Sequence, residues 1–354
     1  MRTISVNLGV IVQNYQLLKQ EFAPARVMAV VKANAYGHGM LEVAKALDSA
    51  HIDIIGVADF EEALALRAAG IRARVMCWLL SGNTDFAKAR DLGIELGIST
   101  FDQLSRVLPG TKLHIKIDTG LGRNGFSPMD WEELFQQLAD NQDVFGVFSH
   151  LANTSEEEDR KQAERFQAAI DIAKQHGVEF QERHLTATAG ALSYPEFRFE
   201  MVRCGIGIYG LNPFEDKDLA LPLRPAMRVS AELINVKRVP AGQGVSYGYR
   251  YVTERESHLG LVPFGYGEGM PRISSGHQVL IAGKSYPVVG RVAMDQFVVD
   301  LGDDRLPLGS EVVIFGNPGS GEPSAEELGA TAGTINYEIV TRIGGRANRV
   351  YLDR

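Results

Sequence analysis

The sequence predicts an α/β plus all-β protein: an N-terminal (β/α)8 TIM-like barrel followed by a C-terminal β-strand domain. Three observations predict it. Residues 27–206 alternate short apolar runs with helix-like stretches, about eight times in succession. From about residue 225 the helical stretches give way to short strands set between Gly and Pro turns. The 354 residues are enough for two domains, each with a core of its own.

In chain order, the barrel strands are expected at 27–32, 54–58, 75–80, 94–99, 113–117, 144–149, 184–187 and 201–205. Each is short and nearly continuously apolar, as a parallel strand covered on both faces must be. Helices are expected between them at 40–50, 61–69, 131–140 and 157–176. In the last of these, Phe166, Ile170 and Ala173 share one helical face. A doubly wound sheet is the competing arrangement. It calls for a glycine-rich fingerprint after its first strand, and Gly37-His38-Gly39 is a poor version of one. Beyond the barrel, residues 227–236 alternate like a strand, and 279–281, 288–289, 296–301 and 311–315 continue the pattern. A helix is expected at 336–343 and a strand at 349–352. The domains are placed at 1–222 and 223–354, with the first strand, 3–7, left open to packing with the β domain instead of the barrel.

Composition narrows the classes of function. Hydrophobic residues make up 45% and charged residues 23%, an ordinary globular balance. A net charge of −8 offers no basic footprint for nucleic acid. No apolar run approaches the ~20 residues that span a bilayer, and residues 1–20 lack a signal-peptide core. Cys77 and Cys204 both lie in apolar, strand-like runs, which suggests buried free thiols and a reducing compartment. A soluble, cytoplasmic protein is expected, with no nucleic-acid or membrane partner.

A (β/α)8 barrel gathers its chemistry at the C-terminal ends of its strands. Lys32 ends the first expected strand, before Ala33-Asn34-Ala35-Tyr36-Gly37. A lysine delivered there from a buried strand can lose its proton by desolvation and act as nucleophile or base. The alternative is a strand-end lysine whose stem is buried and whose head reaches water. Lys116 and Asp118 end the fifth strand, His150 the sixth, and Thr188 follows the seventh. Arg203 and the turn Gly205-Ile206-Gly207 end the eighth. That turn suits a phosphate held by backbone N–H groups. A tight turn needing positive φ accounts for it as well. His184 reads equally as a satisfied core histidine.

The run Val30-Val31-Lys32-Ala33-Asn34-Ala35-Tyr36-Gly37-His38-Gly39 resembles the cofactor-lysine signature of alanine racemases. Further resemblances follow in the family's order. Asp118-Thr119-Gly120-Leu121-Gly122-Arg123-Asn124-Gly125 is similar to its arginine loop, and Ser149-His150 to its sixth-strand histidine. Arg203-Cys204-Gly205-Ile206-Gly207-Ile208-Tyr209-Gly210 is similar to its pyridine-arginine and phosphate segment, and Val245-Ser246-Tyr247-Gly248 to its catalytic-tyrosine motif. The stretches 263–269 and 290–296 and the triplet Asn336-Tyr337-Glu338 resemble its β-domain motifs.

This resemblance implies an enzyme that interconverts L-alanine and D-alanine with pyridoxal 5'-phosphate, by a two-base mechanism. It implies a head-to-tail homodimer with shared active sites, no metal, and a role in supplying D-alanine for peptidoglycan or in alanine catabolism. It assigns Lys32 to the cofactor and to the D-alanine face, and Tyr247 of the partner subunit to the L-alanine face. Arg123 and the Met294 N–H would hold the substrate carboxylate. Tyr36, Thr188, Gly205, Ile206 and Tyr337 would bind the cofactor phosphate, and Arg203 would face the pyridine nitrogen. Lys116, His150, His184, Tyr266 and Asp295 would support them, Lys116 as a lysine that can be carbamylated. Two residues depart from the pattern: Ala293, where many members carry Cys, and Thr188, where Ser is common. The alternatives are a serine or broad-specificity racemase on the same scaffold, a related decarboxylase, and a non-catalytic pyridoxal-phosphate carrier.

Overall fold

The computed structural model describes residues 1–139, 141 and 143–353 and separates into two compact units. One unit comprises Tyr15–Ala35 and Met40–Ile208. Its eight parallel strands are Arg26–Val30, Ile54–Asp59, Arg74–Leu79, Ile94–Ile98, Leu113–Lys116, Val144–Phe148, Glu182–His184 and Met201–Cys204. Neighbours in sequence pair in turn, and the first pairs back onto the eighth. The seventh and eighth are not paired along their length; the bridge Ala187 to Arg203, just past the seventh strand, links them, so the barrel is nearly closed. Helices follow the strands, among them Met40–Ser49, Phe60–Ala68, Trp131–Leu138 and Glu156–Gln175. The expected helix at 131–140 thus appears as Trp131–Leu138; residue 140 lies outside the described residues. Among the described residues, no helix is long and apolar enough to cross a membrane. Both cysteines are free and buried.

Three details depart from expectation. The first strand stops at Val30 rather than at Lys32, because Ala33, Asn34, Ala35 and Tyr36 take φ of 52°, 55°, 54° and 52°. Left-handed backbone costs roughly 1–2 kcal/mol per non-glycine residue, and it persists where the surroundings over-determine it. The seventh strand lies at Glu182–His184, not 184–187, since Thr188 already opens the helix Thr188–Ser193. The helices Phe86–Asp91 and Phe101–Ser105 are too short to show a periodic face.

The lower end of the barrel holds a buried ionic cluster. Arg74 Nε and Nη2 donate to Glu95 at 2.7 and 2.8 Å, and Nη1 and Nη2 donate to Glu182 at 2.6 and 2.9 Å. Arg26 also pairs with Glu182. Burial alone raises the Glu95 carboxyl, but hydrogen bonds from His114 and Arg74 outweigh it and hold the group at about 2. The folded value is depressed, so this stabilisation is complete above the unfolded carboxyl value of ~4.3 and is lost as pH falls below it. Arg74→Leu is expected to destabilise the protein by roughly 3–5 kcal/mol, because buried carboxylates lose their countercharge. Denaturant unfolding at neutral pH measures this. A loss under ~1 kcal/mol, the scale of an exposed pair, would show that Arg26 suffices.

The other unit comprises Met1–Asn14, Tyr36–Gly39 and the chain from Tyr209 onward. Its nine-stranded sheet runs, in order, Asn235–Val239, Ser257–Val262, Phe297–Gly302, Lys284–Val289, Gln278–Ile281, Glu311–Phe315, Met227–Glu232, Arg2–Asn7 and Asn348–Leu352. Arg2–Asn7 belongs to this sheet, antiparallel to Met227–Glu232 and parallel to Asn348–Leu352. The expected strand at 227–236 divides at Leu233 and Ile234 into two strands that sit apart in the sheet. The helix Ala325–Ala332 was not foreseen, although Ser324 and Glu327 carry the sequence signature of a capping box and form one.

Candidate active site

The upper rim of the barrel concentrates positive charge. Lys32, Lys116 and Arg203 lie close enough to Arg123 for its charge to act on the protonation of each. Lys32 leaves the first strand at the start of the left-handed turn. Burial first, then Arg123 and Arg203, lowers its ammonium below the ordinary lysine value, with Glu62 opposing. Lys116, the last residue of the fifth strand, is buried with Nζ 4.7 Å from the Phe148 ring centroid. Burial, then Arg203 and Arg123, brings it down to about 7, so much of it is neutral amine near neutral pH.

The loop after the fifth strand presents Arg123. Asp118 Oδ1 accepts from the Gly120 and Gly122 N–H groups at 2.9 and 3.1 Å. Asp118 N–H donates to Phe126 O and Phe126 N–H to Lys116 O, each at 2.9 Å. The loop therefore folds back on its own base with Arg123 exposed between these ties. A Cβ at Gly125 would lie 2.8 Å from the Ile117 carbonyl carbon, so the return strand of the loop needs a glycine.

Arg203 is fully held by protein acceptors at both Nη groups. Nη1 donates to His184 O at 2.7 Å and to His184 Nδ1 at 3.0 Å. Nη2 donates to Ser149 O at 2.6 Å, Leu185 O at 2.9 Å and His150 Nδ1 at 3.1 Å. Burial, then Arg123, pulls Arg203 down to about 9, still cationic at neutral pH. Burial, then Arg203 and Lys116, pushes His150 well below the usual imidazole range. It is therefore neutral, and because its Nδ1 accepts from Arg203, its proton sits on Nε2. Beside this group, the turn Ile206–Tyr209 begins at a buried Ile206, and a Cβ at Gly207 would lie 2.7 Å from Thr188 Cγ2. Gly205, Ile206 and Thr188 thus come together as a small, tightly packed group.

The remaining expected residues lie on the other unit. Tyr36 packs between Tyr209 and Tyr337, with ring centroids 5.1 and 6.2 Å away. Burial raises the Tyr337 phenol above its usual value. Tyr247 stands on the short turn Tyr247–Tyr249, which Ser246 anchors by donating to Arg291 O at 2.6 Å. The loops carrying Tyr266, Met294 and Asp295 are tied together. Tyr266 N–H donates to Ala293 O at 3.0 Å and Gly267 N–H to Met294 O at 2.8 Å, and Arg346 pairs with Asp295 at 2.7 Å. Tyr247, Met294 and Tyr266 are 66%, 55% and 42% exposed, unusual for side chains of this size.

The sequence did not single out Arg74, Glu95, His114 or Glu182. Glu95, His114 and Glu182 place ligand atoms within 4.8 Å of one another, but Arg74 supplies the positive charge between the carboxylates. The available signal was Glu95 inside the otherwise apolar strand Ile94–Ile98 and His114 between Leu113 and Ile115.

Comparison with known proteins covers both units. Residues 6–213 match the family "Alanine racemase, N-terminal domain" and residues 226–351 match "Alanine racemase, C-terminal domain". Alanine racemase of Thermobifida fusca is 43% identical over 98% of this chain and 96% of the relative. That of Mycolicibacterium smegmatis is 40% identical over 98% and 94%. The crystal structure of alanine racemase from D-cycloserine-producing Streptomyces lavendulae superposes with a TM-score of 0.95 at 43% identity, covering 99% of this chain and 97% of that one. The biosynthetic alanine racemase of Pseudomonas aeruginosa gives 0.90 at 32% identity, covering 99% of each chain. With matches of this extent along its whole length, the chain belongs to the alanine racemase family.

Proposed function

We propose that this protein is a pyridoxal 5'-phosphate-dependent enzyme that interconverts L-alanine and D-alanine. The observation that carries the proposal is the rim cluster of Lys32, Lys116 and Arg203 beside Arg123: burial, then their mutual repulsion and that of Arg123, holds Lys32, Lys116 and Arg203 below their ordinary values, and such a cluster calls for anionic ligands. A cofactor phosphate and a substrate carboxylate are such ligands. When bound, the cofactor withdraws electrons from the substrate and makes its α-proton acidic.

Lys32 is the residue to hold the cofactor covalently, since its lowered ammonium favours the nucleophilic amine. The Thr188 hydroxyl and the Gly205-Ile206 backbone are the barrel's donors to the phosphate, and the family assigns Tyr36 and Tyr337 to it as well. With both Nη groups of Arg203 engaged, Nε–H is the donor that remains for the pyridine nitrogen. Arginine holds that proton instead of yielding it, so the electron withdrawal stays moderate. Arg123 would clamp the substrate carboxylate through a planar pair of donors, with the Met294 N–H beside it. Removing a proton from one face and returning it to the other calls for two bases. Lys32 serves the D-alanine face and Tyr247 of the partner subunit the L-alanine face. His150 presents Nε2–H, a donor that would favour the tyrosinate. The active unit is then a homodimer, consistent with the exposure of Tyr247, Tyr266 and Met294. Two buried thiols suit a reducing cytoplasm.

The test is purified protein with L-alanine, with and without added pyridoxal phosphate. D-Alanine should accumulate to an equal mixture only in the loaded sample. Equal kcat/KM for serine and alanine would move the assignment to a broad-specificity racemase.

Lys116 carries a further expectation. Its neutral amine can add to carbon dioxide, forming an N–C bond and releasing a proton to solvent. The resulting carbamate would be an anionic acceptor close to Arg123, fixing the guanidinium. Neutral amine grows as pH rises through about 7, so carbamylation should increase in the same direction. Electron density at Lys116, or intact mass of gently handled protein at two pH values, checks this. A bare, ordered ammonium with a bound anion toward Arg123 would assign that task to another group.

A further inference from the structure

Arg203 is joined to the opposite end of the barrel by an unbroken buried chain. Its Nη1 is 3.0 Å from His184 Nδ1. His184 Nε2 is 3.0 Å from His114 Nδ1, and His114 Nε2 is 3.0 Å from Glu95 Oε2. Glu95 in turn holds Arg74 at 2.7 and 2.8 Å. Neither histidine is exposed to solvent.

Counting donors and acceptors leaves a single arrangement for neutral rings. Arginine has donors only, so His184 Nδ1 must accept. The His184 proton is then on Nε2 and is given to His114 Nδ1. The His114 proton is on its own Nε2 and is given to the Glu95 carboxylate. Every bond therefore runs in one direction, from the Arg203 cation to the Glu95 anion. The surroundings are shaped for these rings. Phe148 stacks on His184 with centroids 4.9 Å apart and planes within 1°. Two residues earlier on the same strand, a Cβ at Gly146 would lie 2.4 Å from His114 Nδ1, so glycine makes the room for the ring. Burial, then the Arg203 cation, keeps His184 well below the usual imidazole range, which agrees with a neutral ring.

We propose that Glu95 and His114 are positioning residues for Arg203: they fix His184 as the Nε2–H tautomer and so hold its Nδ1 as an acceptor for the guanidinium. In the other tautomer an N–H of His184 would face an N–H of Arg203, and the guanidinium would turn away. The consequence for turnover rests on the role proposed above for Arg203; the tautomers themselves do not.

The experiment is nitrogen-15 NMR of the holoenzyme labelled at histidine, with His114 and His184 assigned from the spectra of single variants. Both rings are expected to show a protonated Nε2 and a bare Nδ1. A His184 protonated at Nδ1, or at both nitrogens, overturns the proposal. His114→Leu removes the acceptor for His184 Nε2–H. It should shift the His184 nitrogens and lower kcat by roughly tenfold or more, the scale for loss of an outer-shell orienting group, with KM for alanine and cofactor content nearly unchanged. His114→Asn keeps an acceptor oxygen near the old Nδ1 position and should recover most of kcat. Equal loss in the Leu and Asn variants would mean that the ring only fills space, and would also overturn the proposal. Wild-type protein that racemises nothing would remove the proposed function, while the tautomer spectrum would still decide the chain.

Discussion

Lys32→Ala is expected to abolish racemisation and covalent retention of pyridoxal phosphate together. The fall in kcat should reach at least roughly 10⁴-fold, the upper end for one positioned acid–base group, because the same amine is assigned both attachment and proton transfer. The physical basis is local. The residue leaves a buried strand at a strained left-handed turn, where burial, then Arg123 and Arg203, holds its ammonium below the ordinary lysine value. Borohydride reduction followed by intact mass separates attachment from catalysis. Wild-type protein should gain the cofactor's mass irreversibly. A Lys32→Ala protein that gained it too would place the attachment elsewhere.

Tyr247→Phe is expected to have the second largest effect, and a directional one. Loss of the phenol should slow proton removal from L-alanine by roughly 10²–10⁴-fold. Cofactor content should stay at the wild-type level, because Tyr247 stands on a loop of the strand-rich unit and is not among the residues assigned to the cofactor. Isotope exchange from each enantiomer, measured separately, reads the two faces. Equal rates for both enantiomers at the wild-type level would end the two-base scheme. Mixing Lys32→Ala with Tyr247→Phe protein adds a test of the shared site. Each variant lacks a different base, so exchange of subunits should regenerate one intact site per heterodimer and restore part of the activity. Demonstrated exchange with no recovery would mean that both bases come from one chain.

The sequence singles out these two residues by local signals. Lys32 ends an apolar run, and Tyr247 sits in a short glycine-containing turn that resembles a family motif. The barrel was legible for the same reason. Strands such as Ile54–Asp59 and Val144–Phe148 are short apolar runs, and the helix Glu156–Gln175 buries Phe166, Ala169 and Ala173 at helical spacing. Strand ends were less certain. The first strand was expected to run through Lys32, and nothing local in Ala33, Asn34 or Ala35 announces a left-handed path. Such a path goes against intrinsic preference and is imposed by packing.

The sequence by itself determined that this chain forms a barrel followed by a strand-rich domain, and which charged residues reach the barrel's upper rim. Periodicity and strand-end position are properties of neighbouring residues. Only the tertiary structure decided how those charges are held. Arg203, His184, His114, Glu95 and Arg74 come from five different strands, and none of them is near another in sequence. Barrel closure brings them into one line of hydrogen bonds. Burial then forbids an unmet donor or acceptor along that line, and so sets the position of every proton on it.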